Sequence, residues 1–395
     1  MVRTIDVEER RARLARRHLL LPQLRTDDVP TIADSLVALH SSDPVTVFLS
    51  AMVRMRTPSV AAVEEALYVD RALVRHHAMR RTLWVATPDV VRLMHAAATR
   101  RLAAPQHRRT ARLLEDNGIA DGDRWLRDAK AQVLVQLHEH GPMTARALGE
   151  RVPELRHPLE MAPGKAYNAT AAAHTRVLTQ LGFEGEIVRA QPAGSWVSGQ
   201  YTWAAMDSWL PGGLGELDER EAARELADRW LRSFGPAPAT DLQWWTGWTV
   251  AMTRRALTDC KAVEVELSGP GRPQSGWVAD GDEDPVEPVE PWVALLPSLD
   301  PSTMGWKQRE WYLPAECAST FDRNGNGGST IWADGRVVGA WAQRPDGEIR
   351  THLLVDVPES TRAAVEERAA QVEAMVGQTR FTVRFAGAIQ PVLLS

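Results

Sequence analysis

A chain of 395 residues, 44% hydrophobic and 25% charged, is long enough for two to four domains and has the composition of an ordinary soluble protein, not of a disordered or fibrous one. Two cysteines, Cys260 and Cys317, exclude a disulfide framework and a four-cysteine zinc site. No apolar run approaches the ~18 residues of a membrane span, and the opening MVRTIDVEERRARLARRH has no apolar secretory core, so a cytoplasmic protein is expected. The net charge of −5 conceals a gradient. Residues 1–200 hold 28 Lys+Arg against 22 Asp+Glu, a net of +6, and residues 201–395 hold 18 against 29, a net of −11. Arginine runs at 10–17, 71–81 and 100–112 leave room for a polyanionic partner at the N-terminal half.

The first 20 residues read as a helix stopped by Pro22. Asp27, Asp28 and Pro30 open a second, whose apolar face carries Ile32, Leu36, Val37 and Leu39. Asp43-Pro44 breaks the pattern before a third helix through Phe48 and Met55, and Thr57-Pro58-Ser59 starts another. Residues 82–86 are strand-like, and a helix follows from Asp89. A second unit spans about 125–205: a helix Trp125–His138, a Gly141-Pro142 turn, helices over 145–150 and 166–182, and a hairpin over 186–203. This is the order of a winged helix. A third unit repeats it, with Leu-x-x-x-Gly-Pro at 137–142 and 231–236, each followed by a leucine seven residues after the glycine, Leu148 and Leu242. Residues 280–291, acidic and proline-rich, read as an exposed linker. Beyond it, short strands near 331–355 predict a small β-sheet or barrel, closed by a helix over 358–377 and a final strand near 380–386.

Several motifs dissolve on inspection. No phosphate-cradling glycine loop follows a strand, so no nucleotide cofactor is expected. Asp322–Gly327 matches the first half of a calcium loop, but its twelfth position is Ala333 and strands flank it; a tight turn fits better. His76-His77 has no further ligand at metal spacing, so no metal is expected. The 15 tryptophans, Trp244-Trp245 and Trp248 among them, fit a core better than a base-stacking surface.

The segment 37–48 is different. His40, Ser41 and Ser42 follow an apolar run and precede Asp43-Pro44. A histidine can orient or activate water, a serine can hold it, and a carboxylate can offset oxocarbenium charge at a sugar carbon. Serine and aspartate at a helix boundary also fit simple capping.

Taken together, LeuValAlaLeuHisSerSerAspPro (36–44), MetArgArgThrLeuTrpVal (79–85), the 234–247 and 299–307 strings, and the loops at 321–328 and 334–341 make the chain resemble the bacterial winged-helix DNA glycosylases, the AlkZ/AlkX-like proteins. The resemblance covers nearly the whole length. It implies an α+β, mostly α fold: winged-helix units over 1–120, 121–212 and 213–285, then a β-barrel over 286–395. It implies a monomer acting on duplex DNA that carries alkylated or bulky-adducted purines, without cofactor. Where the family carries a Gln-x-Gln or Gln-x-Asp pair, this chain has His40 and Ser42. The expected catalytic set is therefore His40, Ser42 and Asp43, with water as nucleophile and no lysine nearby to form a Schiff base. The expected DNA contacts are Arg75, Arg80, Arg81, Arg108, Arg109, Lys165, His174 and Arg176. A non-catalytic DNA binder, as regulator or lesion-sequestering factor, is the competing reading, and hydrolysis of a small glycoside is a third.

Overall fold

The computed structural model describes residues 2–162 and 168–395; the expected contact Lys165 and the start of the expected helix at 166 lie outside the described residues. The fold is a mixed, helix-rich α+β one. Helix, short strand, two helices and a hairpin occur in that order three times.

In the first occurrence Asp28 caps the helix Val29–Ser35 by accepting from the Thr31 N–H. The expected continuation to Leu39 fails: the helix closes at Leu36, Val37 takes a left-handed φ of 59°, and Leu39–His40 is a strand. The residue pattern could not separate a helix face from a buried strand here, because every residue from 36 to 40 is buried. Helix Pro44–Met52 follows, then Val60–Glu64, which continues as a wider turn through Glu65–Val69. The hairpin Val74–His77 and Leu83–Ala86 closes the unit, with Leu39–His40 pairing antiparallel to the second hairpin strand.

The second occurrence comprises helix Gly122–His140, strand Met143–Thr144, helices Ala145–Arg151 and His174–Glu184, and hairpin Ile187–Pro192 with Tyr201–Ala205. The sheet again places the short strand beside the second hairpin strand. The third comprises helices Glu219–Phe234, Ala239–Thr246 and Val250–Asp259 and hairpin Val263–Leu267 with Gln274–Val278. Here Ala237 alone bridges to Trp277, as Met143 pairs with Trp203 and His40 with Trp84. The shared Gly-Pro string precedes this bridging position in the second and third occurrences, and its leucines 137, 148, 231 and 242 are all buried. The strand Thr4–Ile5 adds to the third sheet in parallel with Val263–Leu267.

The C-terminal region is not a closed barrel. Val293–Leu296, Thr330–Ala333, Arg336–Gln343 and Ile349–Leu353 form an open antiparallel sheet in that order. Helix Glu359–Val376 packs Val365, Val372 and Val376 into the core shared by this sheet and the first unit, so side chains cover the face that closure would bury. Residues 380–386 run as an irregular segment where a strand was expected.

Nor is 280–291 a free linker. Asp282 takes both Arg17 (2.6 Å) and the buried Arg13 (3.1 Å) of helix Val7–Arg17, and the carbonyl of Asp284 accepts from Arg13. Arg10 lies over Trp311 at 4.2 Å. The first arginine run is thus spent inside the molecule, on the acidic half. Replacing Asp282 by Asn strips two arginines, one of them buried, of their shared partner; a stability loss of roughly 1–3 kcal/mol is expected from urea midpoints.

Tryptophan is core as expected: Trp84, Trp230, Trp245, Trp306, Trp332 and Trp341 are all fully buried. Both cysteines are buried and free. The Asp322 carboxylate accepts from Asn324 and Asn326 backbone N–H groups and from the Asn326 amide, so the calcium-like string is a self-satisfied turn. Among the described residues no group of acidic, histidine or cysteine side chains could hold a metal ion, and no helix is long and apolar enough to cross a membrane.

Candidate active site

His40 ends the short strand of the first unit, opposite Trp84, whose ring meets it edge-on at 4.7 Å. Its Nδ1 accepts from the Ser42 N–H at 3.4 Å, which leaves the proton on Nε2. Only 4% of its surface is exposed. Burial, with Arg80 adding to it, pushes its pKa down to about 3. At neutral pH the ring is therefore uncharged, and a base of that strength removes a proton from water poorly. It can still donate from Nε2, which has no hydrogen-bond partner among the described residues.

Asp43 is also buried. One oxygen accepts from the Val45 N–H (3.3 Å), capping helix Pro44–Met52, and the other accepts from the Arg384 backbone N–H (2.7 Å). Burial raises its pKa against the pull of these donors. The capping role weighed from the sequence is thus real, and the same carboxylate pins the C-terminal segment over the first unit. Ser42 is the half-exposed member of the set, and Ser41 is buried with its hydroxyl accepting from Arg75 Nε at 2.7 Å.

The expected DNA contacts scatter. Arg75 is only 2% exposed, held by Ser41 and by the Tyr68 hydroxyl at 3.1 Å, because its strand faces the junction with the second hairpin. Arg80 and Arg81 form the left-handed tip of the first hairpin. Arg80 lies over Trp244 at 4.0 Å, half-buried, while Arg81 is exposed. Arg108 and Arg109 are exposed on helix Arg100–Asp116. His174 begins helix His174–Glu184 and lines an open groove with Thr144, Arg146, Gln200 and Tyr201. Arg176, two residues on, is half-buried. Trp196 packs inward against Phe48 (5.2 Å).

What sequence reasoning missed lies between these parts. Arg189, on the first strand of the second hairpin, and Arg384, beside Asp43, come to the same place as Arg75 and Tyr201. Arg189 was legible as the one charge in the apolar strand IVRAQP; nothing in the sequence marks Arg384.

A family model described as DNA glycosylase AlkZ-like matches residues 33–375. The DNA glycosylase AlkZ of Streptomyces sahachiroi has a similar solved structure, with a TM-score of 0.72, 19% identity, and coverage of 96% of this chain and 99% of that one. At that identity the likeness speaks for the fold. No curated protein matches the chain by sequence.

Proposed function

Since the chain belongs to the AlkZ-like DNA glycosylase family, we propose that it hydrolyses the N-glycosidic bond of alkylated or bulky-adducted purines in duplex DNA, through three winged-helix units bounded near residues 120, 212 and 285. The observation that carries the reading is the position of residues 40–43. They end the short strand of the first unit where the second hairpin and the C-terminal segment meet it. An N7- or N3-alkylated purine already carries positive charge and leaves readily, so positioning of water and modest electrostatics can suffice. In this chain the neutral His40 orients water through Nε2–H and does not take its proton. The C–N bond breaks with its electron pair to the cationic purine, which leaves neutral, and the proton of the water that bonds the sugar carbon passes to solvent. Ser42 supplies a second polar contact. Asp43, held by two backbone donors, fixes the segment and contributes negative charge close to the reacting sugar. No lysine lies in 36–48, which favours excision without strand cleavage.

Release of N7-alkylguanine from duplex DNA tests this. His40→Ala is expected to slow single-turnover release by on the order of 10²-fold, while His40→Gln, which restores an N–H donor, retains a larger share. Between pH 6.5 and 9 the wild-type rate should show no step from His40, whose pKa lies near 3. A rate untouched by His40→Ala removes the assignment. The burial of His40 and the full engagement of Asp43 favour one second reading, a non-catalytic lesion binder; tight, salt-sensitive binding with no release from any adduct would establish it.

A further inference from the structure

Three arginines converge at the junction of the first unit, the second hairpin and the C-terminal segment, and among the described residues none of them has a carboxylate to itself. Arg75 spends Nε on Ser41 and one Nη on Tyr68, and its other Nη is buried without a partner among the described residues. Its guanidinium carbon sits 4.4 Å from the centre of the Tyr201 ring. Arg189 lies 5.5 Å from that same ring and 4.9 Å from Trp203, with its Nε likewise buried and unpartnered among them. The Tyr201 hydroxyl is buried without a partner among the described residues as well. Arg384 lies against Gly199, where any Cβ would collide with its guanidinium. The carboxylate nearest Arg384, Asp43, already accepts two backbone N–H groups.

We propose that Arg189 and Arg384, backed by Arg75, seat one backbone phosphate of duplex DNA beside residues 40–43. Guanidinium groups packed on aromatic faces without a counter-ion carry a desolvation cost that an arriving anion repays. The planar fork of arginine matches two phosphate oxygens at once. Burial above all pulls Arg189 down to about 10; Tyr201 opposes the shift, and Arg75 and Arg384 add to it. The groove that Arg189, Gly199 and Tyr201 line is open and runs to the start of helix His174–Glu184, where His174 and Thr175 also line it. An open groove suits a continuous backbone better than a free nucleotide. A phosphate fixed here would anchor the strand next to the sugar that His40 and Ser42 address, and so would set the register of the lesion. The inference rests on the reading that duplex DNA is the ligand.

The test is duplex binding by fluorescence anisotropy across a salt series, with base release from N7-alkylguanine DNA measured separately. Arg189→Gln and Arg384→Gln should each weaken binding several-fold and lower the slope of log Kd against log salt by about one. Gly199→Ala, which leaves every charge in place and meets only the mobile end of Arg384, should reproduce the Arg384→Gln effect on affinity. Arg189→Lys should keep most of the slope. In release assays the loss should fall on KM and leave kcat nearly intact. An unchanged slope in Arg384→Gln and unchanged affinity in Gly199→Ala, with thermal midpoints at the wild-type value, overturn the site. So does competition by inorganic phosphate as effective as that of duplex at matched ionic strength, which would indicate a free-anion site. A wild-type protein that binds with these slopes but releases no base overturns the glycosylase reading and supports the phosphate seat; one that does not bind duplex overturns both.

Discussion

Lowering the pH from 7 to about 5 is expected to destabilise the protein steeply. Five histidines are buried: His18, His40, His76, His77 and His95. Burial pushes His18, His40 and His77 down to about 3, with Arg54, Arg80 and Arg189 respectively adding to it. It pushes His95 to about 4, with help from Arg100, and His76, which faces His95 and His77, well below its ordinary value. In the unfolded chain each takes up a proton near pH 6.5. Between that value and the folded ones the unfolded state binds more protons, so stability is full above about pH 6.5 and is lost as pH falls. Each histidine costs about 1.4 kcal/mol per pH unit in that window. At pH 5 this is roughly 2 kcal/mol for each of His18, His40, His77 and His95, roughly 8 together, with His76 acting in the same direction, against a typical stability of about 5–15 kcal/mol. Buried carboxyl groups oppose them: burial raises Asp241 to about 6 and shifts Asp43 and Glu186 in the same direction, so their protonation favours the folded state as pH falls. The measurement is the urea midpoint of tryptophan emission from pH 8 to 5. A steep fall below pH 6.5 is expected; a flat profile to pH 5 would mean that these histidines do not stay neutral in the fold.

These histidines also mark how far the sequence could be read. His76-His77 was visible as a pair without metal ligands, but not as the Nε2–Nδ1 contact of 3.1 Å that His76 makes with His95 across the first unit. Local punctuation carried well where it was read: Asp28 and Ser59 cap helices by accepting from backbone N–H groups near each start. The Gly-Pro repeat carried further, because it marks the bridging position before the second helix of a unit. Charge carried least. The arginines of 10–17 were read as available to a polyanion, yet Arg13 and Arg17 meet Asp282, and Arg10 meets Trp311. Long-range pairing of this kind leaves no local pattern. The candidate site shows the same division. The segment 37–48 could be singled out from its residue types, but the partners that decide what His40 and Asp43 can do, Trp84 and Arg384, lie 44 and 341 positions away.

The string around Asp300 is where a single substitution is expected to cost most. Asp300 and Arg54 are both fully buried, with Nη2 to Oδ1 at 2.8 Å and Nη1 to Oδ2 at 2.9 Å. Ser50 Oγ (2.6 Å) and the Ser302 N–H (2.9 Å) complete the carboxylate's shell. Arg54 also donates to the carbonyls of His18 and Ser50 and to Ser302 Oγ. His18 in turn shares Ser302 Oγ at 2.8 Å and meets the Ser233 carbonyl at 3.2 Å. One network thus ties the N-terminal helix, helix Pro44–Met52, helix Glu219–Phe234 and the start of the C-terminal sheet region. Arg54 and the Ser50 hydroxyl together hold Asp300 well ionised despite its burial, so the pair is charged at neutral pH. Asp300→Asn leaves a buried guanidinium without a counter-charge, and a loss of about 3–5 kcal/mol is expected. Arg54→Met strands the carboxylate in the same way and should cost a similar amount. The double substitution Arg54→Met with Asp300→Leu should recover part of the loss and no more, because the His18 and Ser50 carbonyls stay without their donor. With the single Asp300→Leu protein added, urea midpoints of wild type, Arg54→Met, Asp300→Leu and the double protein close the cycle, and a coupling of at least about 2 kcal/mol is expected. The same network bears on the site. Ser50 belongs to the helix that Asp43 caps, and Thr46 on that helix donates to the Ser298 carbonyl at 2.7 Å. Loosening Asp300 therefore loosens the element that fixes residues 40–43, and base release should fall in Asp300→Asn even at temperatures where the protein remains folded. Release at the wild-type rate from a folded Asp300→Asn protein would show that the strand carrying His40 is held without this network.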